Sequence, residues 1–396
     1  DNNIERIKNL KKGNDKTNEV KKSDINKSKY LQFTNTINDL KKCQIFIVTV
    51  PTPINNKFKP DLTFIKKSMQ NVGKILKKDD LVILESTVYP GTTEEIVVPI
   101  LEKYSKLKLN KDFFVGYSPE RINPGDKIRT LSSIKKVTSG SNKKTSKEVD
   151  NLYKQIIKAG THNAPNIKVA EASKIIENVQ RDLNISLMNE LSLIFDKLSI
   201  NTYDVLKASK TKWNFLPFEP GLVGGHCIGV DPYYLTYKSK LHGYNPKIIL
   251  SGRKVNNAMP IHIAKNVLKK INYNNLKAKV NIGIMGISFK ENCPDIRNSK
   301  VCDIITYLQN YNITIQVYDP VVDYGQLPKF KNNVKFVSKF NNLNALIITV
   351  NHKEFKKYNE KYLISLFKKN LPVIFDIKSN YNKPKLEGLG AQVWSL

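Results

Sequence analysis

The sequence predicts an α/β protein: two Rossmann-like, doubly wound domains joined by a mainly helical middle domain built on a long helix. Three observations carry this. Short apolar runs alternate with helical patterns early in the chain and again late in it, the mark of a parallel sheet with crossover helices. Between them, from Val169 to Leu198, there is neither proline nor glycine, and apolar residues (Ile175, Ile176, Val179, Leu183, Leu187, Leu191, Ile194, Phe195, Leu198) recur at helical spacing. At 396 residues the chain also exceeds a single ordinary core.

In order, a basic helix over Ile4 to Leu10 follows Asp1. Ile45 to Val50 reads as a buried strand, stopped by Pro51-Thr52-Pro53. Leu81 to Glu85 is a second strand, followed by the Pro90-Gly91 turn and a helix from about Thr92. Phe113 to Tyr117 is a third, ending at Pro119, and the segment from Lys143 to Lys158 is helical. The texture changes near Lys168, where the long helix begins; more helix follows from Thr202, and the middle domain runs to about Lys270. Alternation then resumes with a strand over Val280 to Gly286, a helix over Ser299 to Asn310, and strands over Thr314 to Pro320, Ala345 to Val350 and Pro372 to Asp376. The expected domains are 1–167, 168–270 and 271–396, with a ligand cleft at the carboxyl ends of the strands.

The formal charge of +30 invites a nucleic-acid reading. The lysines come as scattered pairs beside abundant asparagine, without a basic stripe interleaved with aromatics, so attraction for an anionic substrate or cofactor is the better use of the charge. No apolar run approaches the ~18–20 residues of a membrane span, and no signal peptide opens the chain. Cys43, Cys227, Cys293 and Cys302 follow neither disulfide-framework nor zinc spacing. A reducing cytosol and no metal are expected.

A dinucleotide-binding domain should open with a strand and a G-x-G-x-x-G turn, and neither is found. Asp1, followed at once by a helix, fits the acid that ends the second strand of such a domain and holds the adenosine ribose. On that reading a first strand and phosphate-cradling turn of roughly 30 residues are missing, and the chain as given is expected to bind a dinucleotide weakly, if at all.

The chemistry centres on Gly221-Leu222-Val223-Gly224-Gly225-His226-Cys227-Ile228-Gly229-Val230-Asp231-Pro232. Glycines let backbone and substrate approach one side chain closely, and a thiol there suggests covalent catalysis. A tight turn carrying a structural cysteine is the alternative at this point. Lys174 and Asn178, four apart on the long helix, share one face; alone they would read as a solvated pair.

The chain resembles the UDP-glucose/GDP-mannose dehydrogenase family over nearly its whole length. The matching blocks are Val50-Pro51-Thr52-Pro53, Glu85-Ser86-Thr87-Val88-Tyr89-Pro90-Gly91-Thr92-Thr93, Ser118-Pro119-Glu120-Arg121, Glu171-Ala172-Ser173-Lys174 through Asn178, the Cys227 segment, and Gly286-Ile287-Ser288-Phe289-Lys290 with Asp295-Ile296-Arg297. Ser118 through Asp126, Asn178 through Ile185 and Trp213 through Phe218 resemble enzymes that oxidise UDP-N-acetylhexosamines. The last two look most like the branch acting on UDP-N-acetylglucosamine or UDP-N-acetylgalactosamine, with UDP-N-acetylmannosamine the runner-up and UDP-glucose a further alternative.

The resemblance implies an NAD-binding domain, a central dimerisation domain and a UDP-sugar domain, and a four-electron oxidation of a C6 hydroxyl to a carboxylate through a Cys227 thioester. A two-electron hydroxyacid-type dehydrogenase would not need Cys227. Lys174 and Asn178 would reach the C6 oxygen, Asp231 would position the water or the lysine, and Glu120 would be the base for hydrolysis. Thr87 would orient that water near the nicotinamide, or merely cap a helix; His226 is structural. The implied cofactor contacts are Asp1, Arg6, Pro51, Thr52, Thr87 and Lys290. The implied substrate contacts are Glu120, Arg121, Lys174, Asn178, Phe218, Gly224, Lys290, Arg297 and Arg253. A homodimer or larger homo-oligomer should form through the long helix. One departure stands out: the family often places an arginine just before the cysteine loop, contributed across a dimer interface, and here that neighbourhood reads Lys210-Thr211-Lys212-Trp213.

Overall fold

A computed structural model describes residues 1–17, 20–123, 128–225, 227–275, 280–367 and 371–396. His226 and the Pro124-Gly125-Asp126 end of the Ser118 block lie outside the described residues. The chain divides into two compact units: residues 1–177 with 233–243, and 178–232 with 244–396.

The first unit is an α/β sheet of β1 (Ile45–Val48), β2 (Leu81–Leu84), β3 (Phe114–Tyr117), β4 (Lys136–Gly140) and β5 (Thr161–Asn163), side by side in that order. β1, β2 and β3 run parallel, whereas β4 pairs antiparallel to β3 through Gly116↔Gly140 and Tyr117↔Ser139. A parallel return needs a crossover of a dozen or more residues, usually a helix. Between β3 and β4 the described residues hold only a single turn, Leu131–Ser133, so the strand comes straight back.

Among the described residues, the α-helices lying wholly in this unit are α1 (Ile4–Lys11), α2 (Lys22–Lys27), α3 (Thr63–Gly73), α4 (Val98–Ser105) and α5 (Lys143–Lys154). α5 covers one face of the sheet, setting Val149 and Tyr153 against Leu81 and Ile83. The helix expected from Thr92 opens as a π-helical turn, Thr93–Val97, before α4. β1 is the outermost strand, and alternate residues, Ile45 and Ile47, are exposed; it is half-buried rather than buried as its apolar run suggests.

α6 (Ile167–Leu198) is the long helix, and the division between units falls within it. The second unit adds α7 (Thr202–Ser209), the start of α8 (Asp231–Leu241), α9 (Lys247–Lys270), and a six-stranded sheet. Its strands are β6 (Val280–Met285), β7 (Ile313–Tyr318), β8 (Val334–Phe336), β9 (Ala345–Ile348), β10 (Val373–Asp376) and β11 (Gln392–Trp394). All pairs are parallel, in the order β8-β7-β6-β9-β10-β11. This is the doubly wound order of a dinucleotide fold, with its switch point between β6 and β9.

α9 and α10 (Lys300–Leu308) cover one face, packing Met259, Ile263, Ile304 and Ile305 on Ile282, Ile284 and Ile315. On the other face α11 (Glu360–Ser365) and α12 (Lys383–Gly388) bring Leu363 and Leu386 onto Leu346 and Ile374. Trp394 lies buried against Phe375, its indole N–H donating to Asp196.

Much of the asparagine excess has a local use. Asn3, Asn142, Asn201, Asn359 and Asn382 each accept a backbone N–H at a helix start, where an amide oxygen satisfies a donor the helix leaves orphaned.

Candidate active site

In the first unit the candidate residues gather at the carboxyl ends of the parallel strands, where open α/β sheets receive ligands. Pro51 and Thr52 follow β1, Pro51 exposed and Thr52 half-buried. The preceding Val50 carbonyl accepts the Ser86 hydroxyl at 2.6 Å, tying this loop to the one after β2. Thr87 is half-buried in that second loop and caps no helix, because the next helical turn starts at Thr93. The capping alternative therefore falls. Asp1 and Arg6 are exposed, with Arg6 Nε 3.8 Å from the Asp1 carboxylate.

Glu120 follows β3. Its Oε1 accepts the backbone N–H groups of Arg121 at 2.6 Å and Ile122 at 2.7 Å, and its Oε2 lies 3.5 Å from Lys136 Nζ. Glu120 and Arg121 do not pair through their side chains. The Arg121 guanidinium turns to Glu177 at 2.8 Å and to the Lys135 carbonyl at 2.7 Å, so its expected sugar contact competes with a pair already made.

α6 carries Glu171 and Lys174. Glu171 is buried, accepting the N–H of Gly91 at 2.5 Å and both the N–H and hydroxyl of Thr93 at 2.8 and 2.7 Å. Burial pushes its carboxyl up to about 7, against the opposing pull of the Thr93 and Gly91 donors. Lys174 is 8% exposed and has no hydrogen-bond or ion-pair partner among the described residues. A buried ammonium is expensive unless something negative meets it.

In the second unit the cysteine loop is shaped by contacts only glycine allows. A side chain at Gly224 would put Cβ 2.7 Å from the Asn298 carbonyl. Gly225 has φ +82°, and a Cβ there would stand 2.8 Å from the Phe289 ring. The segment carrying Arg297 is thus laced to the cysteine loop, with Asn298 Nδ2 donating to the Gly225 carbonyl at 3.3 Å.

Just beyond, the Cys227 carbonyl accepts the N–H groups of Val230 at 3.0 Å and Asp231 at 2.8 Å, opening α8. The buried Asp231 carboxylate accepts Asn178 Nδ2 at 2.5 Å. Arg297 is forked onto Asp295, which, with smaller contributions from Cys227 and Cys293, holds the guanidinium protonated. Of the other thiols, Cys302 sits in α10, where burial pushes it up to about 11, and Cys293 is buried. Phe218 is half-buried on the approach to the loop, while Lys210 pairs with Glu219 at 2.6 Å and Trp213 is 91% exposed.

Arg253 is 2% exposed, its Nη1 2.6 Å from Asp182 and its Nη2 2.5 Å from Asn257. Asn256 bonds the same Asp182 oxygen at 2.7 Å, and Asn189 links Asn256 to both backbone polar groups of Gly221. Arg253 therefore belongs to a buried network joining α6 and α9 to the start of the cysteine loop, and its expected substrate contact competes with pairs already made.

Lys290 lies in the loop after β6, at the switch point. Gly286 has φ +91° and packs so close to Val350 that a Cβ would sit 2.7 Å away. The next two backbone N–H groups, of Ile287 and Ser288, donate to Asp319 at 2.7 and 3.0 Å. Asn292 N–H donates to His352 Nδ1 at 2.9 Å, which assigns the proton to Nε2, facing Asp319 at 3.1 Å. Asp319 and His352, both buried, escaped sequence reasoning; the only signal was the Tyr318-Asp319-Pro320 strand end. Lys136, likewise missed, offered only a place in a lysine pair.

Among the described residues no helix is long and apolar enough to cross a membrane. Three family models match in order: the NAD binding domain of the UDP-glucose/GDP-mannose dehydrogenase family over residues 1–157, its central domain over 168–258 and its UDP binding domain over 283–383. A Pseudomonas aeruginosa protein described as UDP-N-acetyl-D-glucosamine 6-dehydrogenase is 50% identical over 94% of this chain and 89% of its own length. The Staphylococcus aureus protein CapL is 48% identical over 100% of this chain and 92% of its own. A solved structure of a UDP-D-ManNAc dehydrogenase from Pyrococcus horikoshii superposes with a TM-score of 0.88 at 27% identity, covering 100% of this chain and 92% of that one. The chain belongs to the UDP-glucose/GDP-mannose dehydrogenase family, NAD-dependent oxidoreductases of nucleotide sugars.

Proposed function

We propose that this chain oxidises the C6 hydroxyl of UDP-N-acetylglucosamine, or its galacto epimer, to the uronic acid in four electrons through a covalent bond to Cys227. The carrying observation is that Asp231, whose N–H bonds the Cys227 carbonyl at the start of α8, is buried with its carboxylate on Asn178, one turn along α6 from Lys174. A buried acid and amide joined in this way four residues from the cysteine are more than a structural turn requires. The choice of sugar leans on the 50% identity to the Pseudomonas aeruginosa protein, against 27% for the UDP-D-ManNAc enzyme.

The residues of the first unit fit NAD. The exposed Asp1 carboxylate suits ribose hydroxyls, and Pro51 and Thr52 sit where the crevice of such a sheet opens. Bound there, NAD supplies the hydride acceptor, used twice per sugar.

In this reading Lys174 and Asn178 donate to the C6 oxygen, favouring the alkoxide as the first hydride leaves and an aldehyde forms. The Cys227 thiolate adds to the aldehyde carbon, aided by the positive charge of Arg297. Loss of the second hydride makes the thioester. Glu120, with Thr87 orienting the water, takes a proton as water attacks; the C–S bond breaks and the thiol is restored. One alcohol and one water become a carboxylate, with two hydrides and three protons released. Lys290, on the switch-point loop, meets the pyrophosphate.

Cys227→Ala should abolish uronate formation while leaving UDP-sugar binding, followed by calorimetry, within a few-fold. Near-normal uronate from that variant, or a free aldehyde with one NADH per sugar from the native chain, would sink the covalent route. A panel adding UDP-N-acetylmannosamine and UDP-glucose decides the sugar by kcat/KM.

A further inference from the structure

Lys136 is 4% exposed, a burial that lysine rarely shows without partners. It lies on β4, and its Nζ stands 3.5 Å from Glu85 Oε1, 3.5 Å from Glu120 Oε2, 3.3 Å from the Pro119 carbonyl and 5.0 Å from the centroid of the Tyr153 ring. One buried cation thus serves two carboxylates. The same Glu85 oxygen also accepts the Tyr153 hydroxyl. Burial, then the charge of Glu85, push the Tyr153 phenol up, so it remains a donor. Glu85, Pro119 and Tyr153 therefore fix the ammonium from behind, and Glu120 is the partner left on its more open side.

We propose that Lys136 is a positioning residue for Glu120. Two backbone N–H groups hold Oε1, and Lys136 holds Oε2. The carboxylate is thereby held in one orientation, Oε1 on the backbone and Oε2 towards the ammonium. Glu85 shares the cation, so the grip on Glu120 is partial. The inference rests on Glu120 being the hydrolytic base. It adds that the base is set by a buried lysine from the antiparallel strand.

The test separates hydrolysis from the hydride steps. Lys136→Met strands two carboxylates together, so it is made alongside Lys136→Met/Glu85→Gln, which removes the cation and one anion at once, and Lys136→Arg, which keeps the charge. Turnover is quenched with acid, the intact chain is weighed by mass spectrometry, and NADH release is followed by stopped flow. In the double variant we expect a burst of two NADH per site, a sugar adduct on Cys227, and kcat lower by roughly tenfold to a hundredfold. Lys136→Arg should remove most of the adduct. A folded double variant with native kcat and no adduct overturns the proposal. Glu120→Gln is run in parallel. If it too turns over normally, the assignment of Glu120 as base has failed; if it alone accumulates adduct, only the role of Lys136 has.

Discussion

At the scale of single residues, long-range pairing decides which charged groups are available for chemistry. Arg253 and Arg121 look equally free in the sequence, yet Arg253 closes on Asp182 and Arg121 on Glu177. Removing one partner of a buried pair strands the other. Arg253→Met should therefore lower unfolding free energy by about 3–5 kcal/mol, read from urea denaturation, with the KM for UDP-sugar of the surviving folded fraction near native. A large rise in KM with unchanged stability would return Arg253 to the substrate. Lys174 is the opposite case: its burial without a partner was invisible, but its motif was not. The motif residues around Cys227, Glu120 and Lys174 could be found from sequence because each lies in a distinctive local string. Lys136 could not, because its partners Glu85 and Glu120 are far along the chain and Lys135-Lys136 reads as solvent-facing.

At the scale of elements, the strands with continuous apolar runs were the most legible, and β7 was found from its alternating one. β2, β6 and β9 are buried on both faces; read as Leu81 to Glu85, Val280 to Gly286 and Ala345 to Val350, they start where expected and end one or two residues sooner. β4 escaped because its buried positions include Lys136, Thr138 and Ser139, whose polar atoms find partners only after folding. The start of the helical segment after β2 likewise depends on a distant residue, the Glu171 carboxyl that meets Gly91 and Thr93. A carboxyl lifted from 4.5 to about 7 in the folded state binds its proton more tightly there than in the unfolded chain. Its contribution is complete below about pH 4.5 and is lost as pH rises towards and through 7. Glu171→Gln removes that slope. The melting temperature of the variant minus that of the native chain should climb between pH 4.5 and pH 8 in matched thermal scans; a flat difference would mean that Glu171 does not titrate there.

At the scale of the whole molecule, α6 keeps an apolar stripe exposed: Val169, Ile176, Leu187, Ile194 and Leu198 recur at intervals of seven, eleven and four, one face of a helix. We infer that a second copy of the chain covers it, since such a stripe on a lone chain is a liability. Leu187→Glu should shift the native oligomer towards monomer in sedimentation velocity at micromolar concentration. An unchanged sedimentation coefficient would place the subunit contact elsewhere. The two-sheet plan was readable from strand alternation alone. The antiparallel turn-back of β4 was not, because it depends on what the connection lacks rather than on what it contains.

Trp213 and Trp394 are the only tryptophans in the chain, and both lie in the second unit. Trp213 stands in solvent a few residues ahead of the cysteine loop, whereas Trp394 is wedged against Phe375 with its N–H on Asp196. The protein thus carries two optical reporters of opposite character. Emission from Trp213 should be red-shifted and open to aqueous quenchers, and that from Trp394 blue-shifted and shielded. A soluble quencher should therefore silence Trp213 alone while the second unit is folded and reach Trp394 as its core opens, so the two signals separate surface from core in one unlabelled sample.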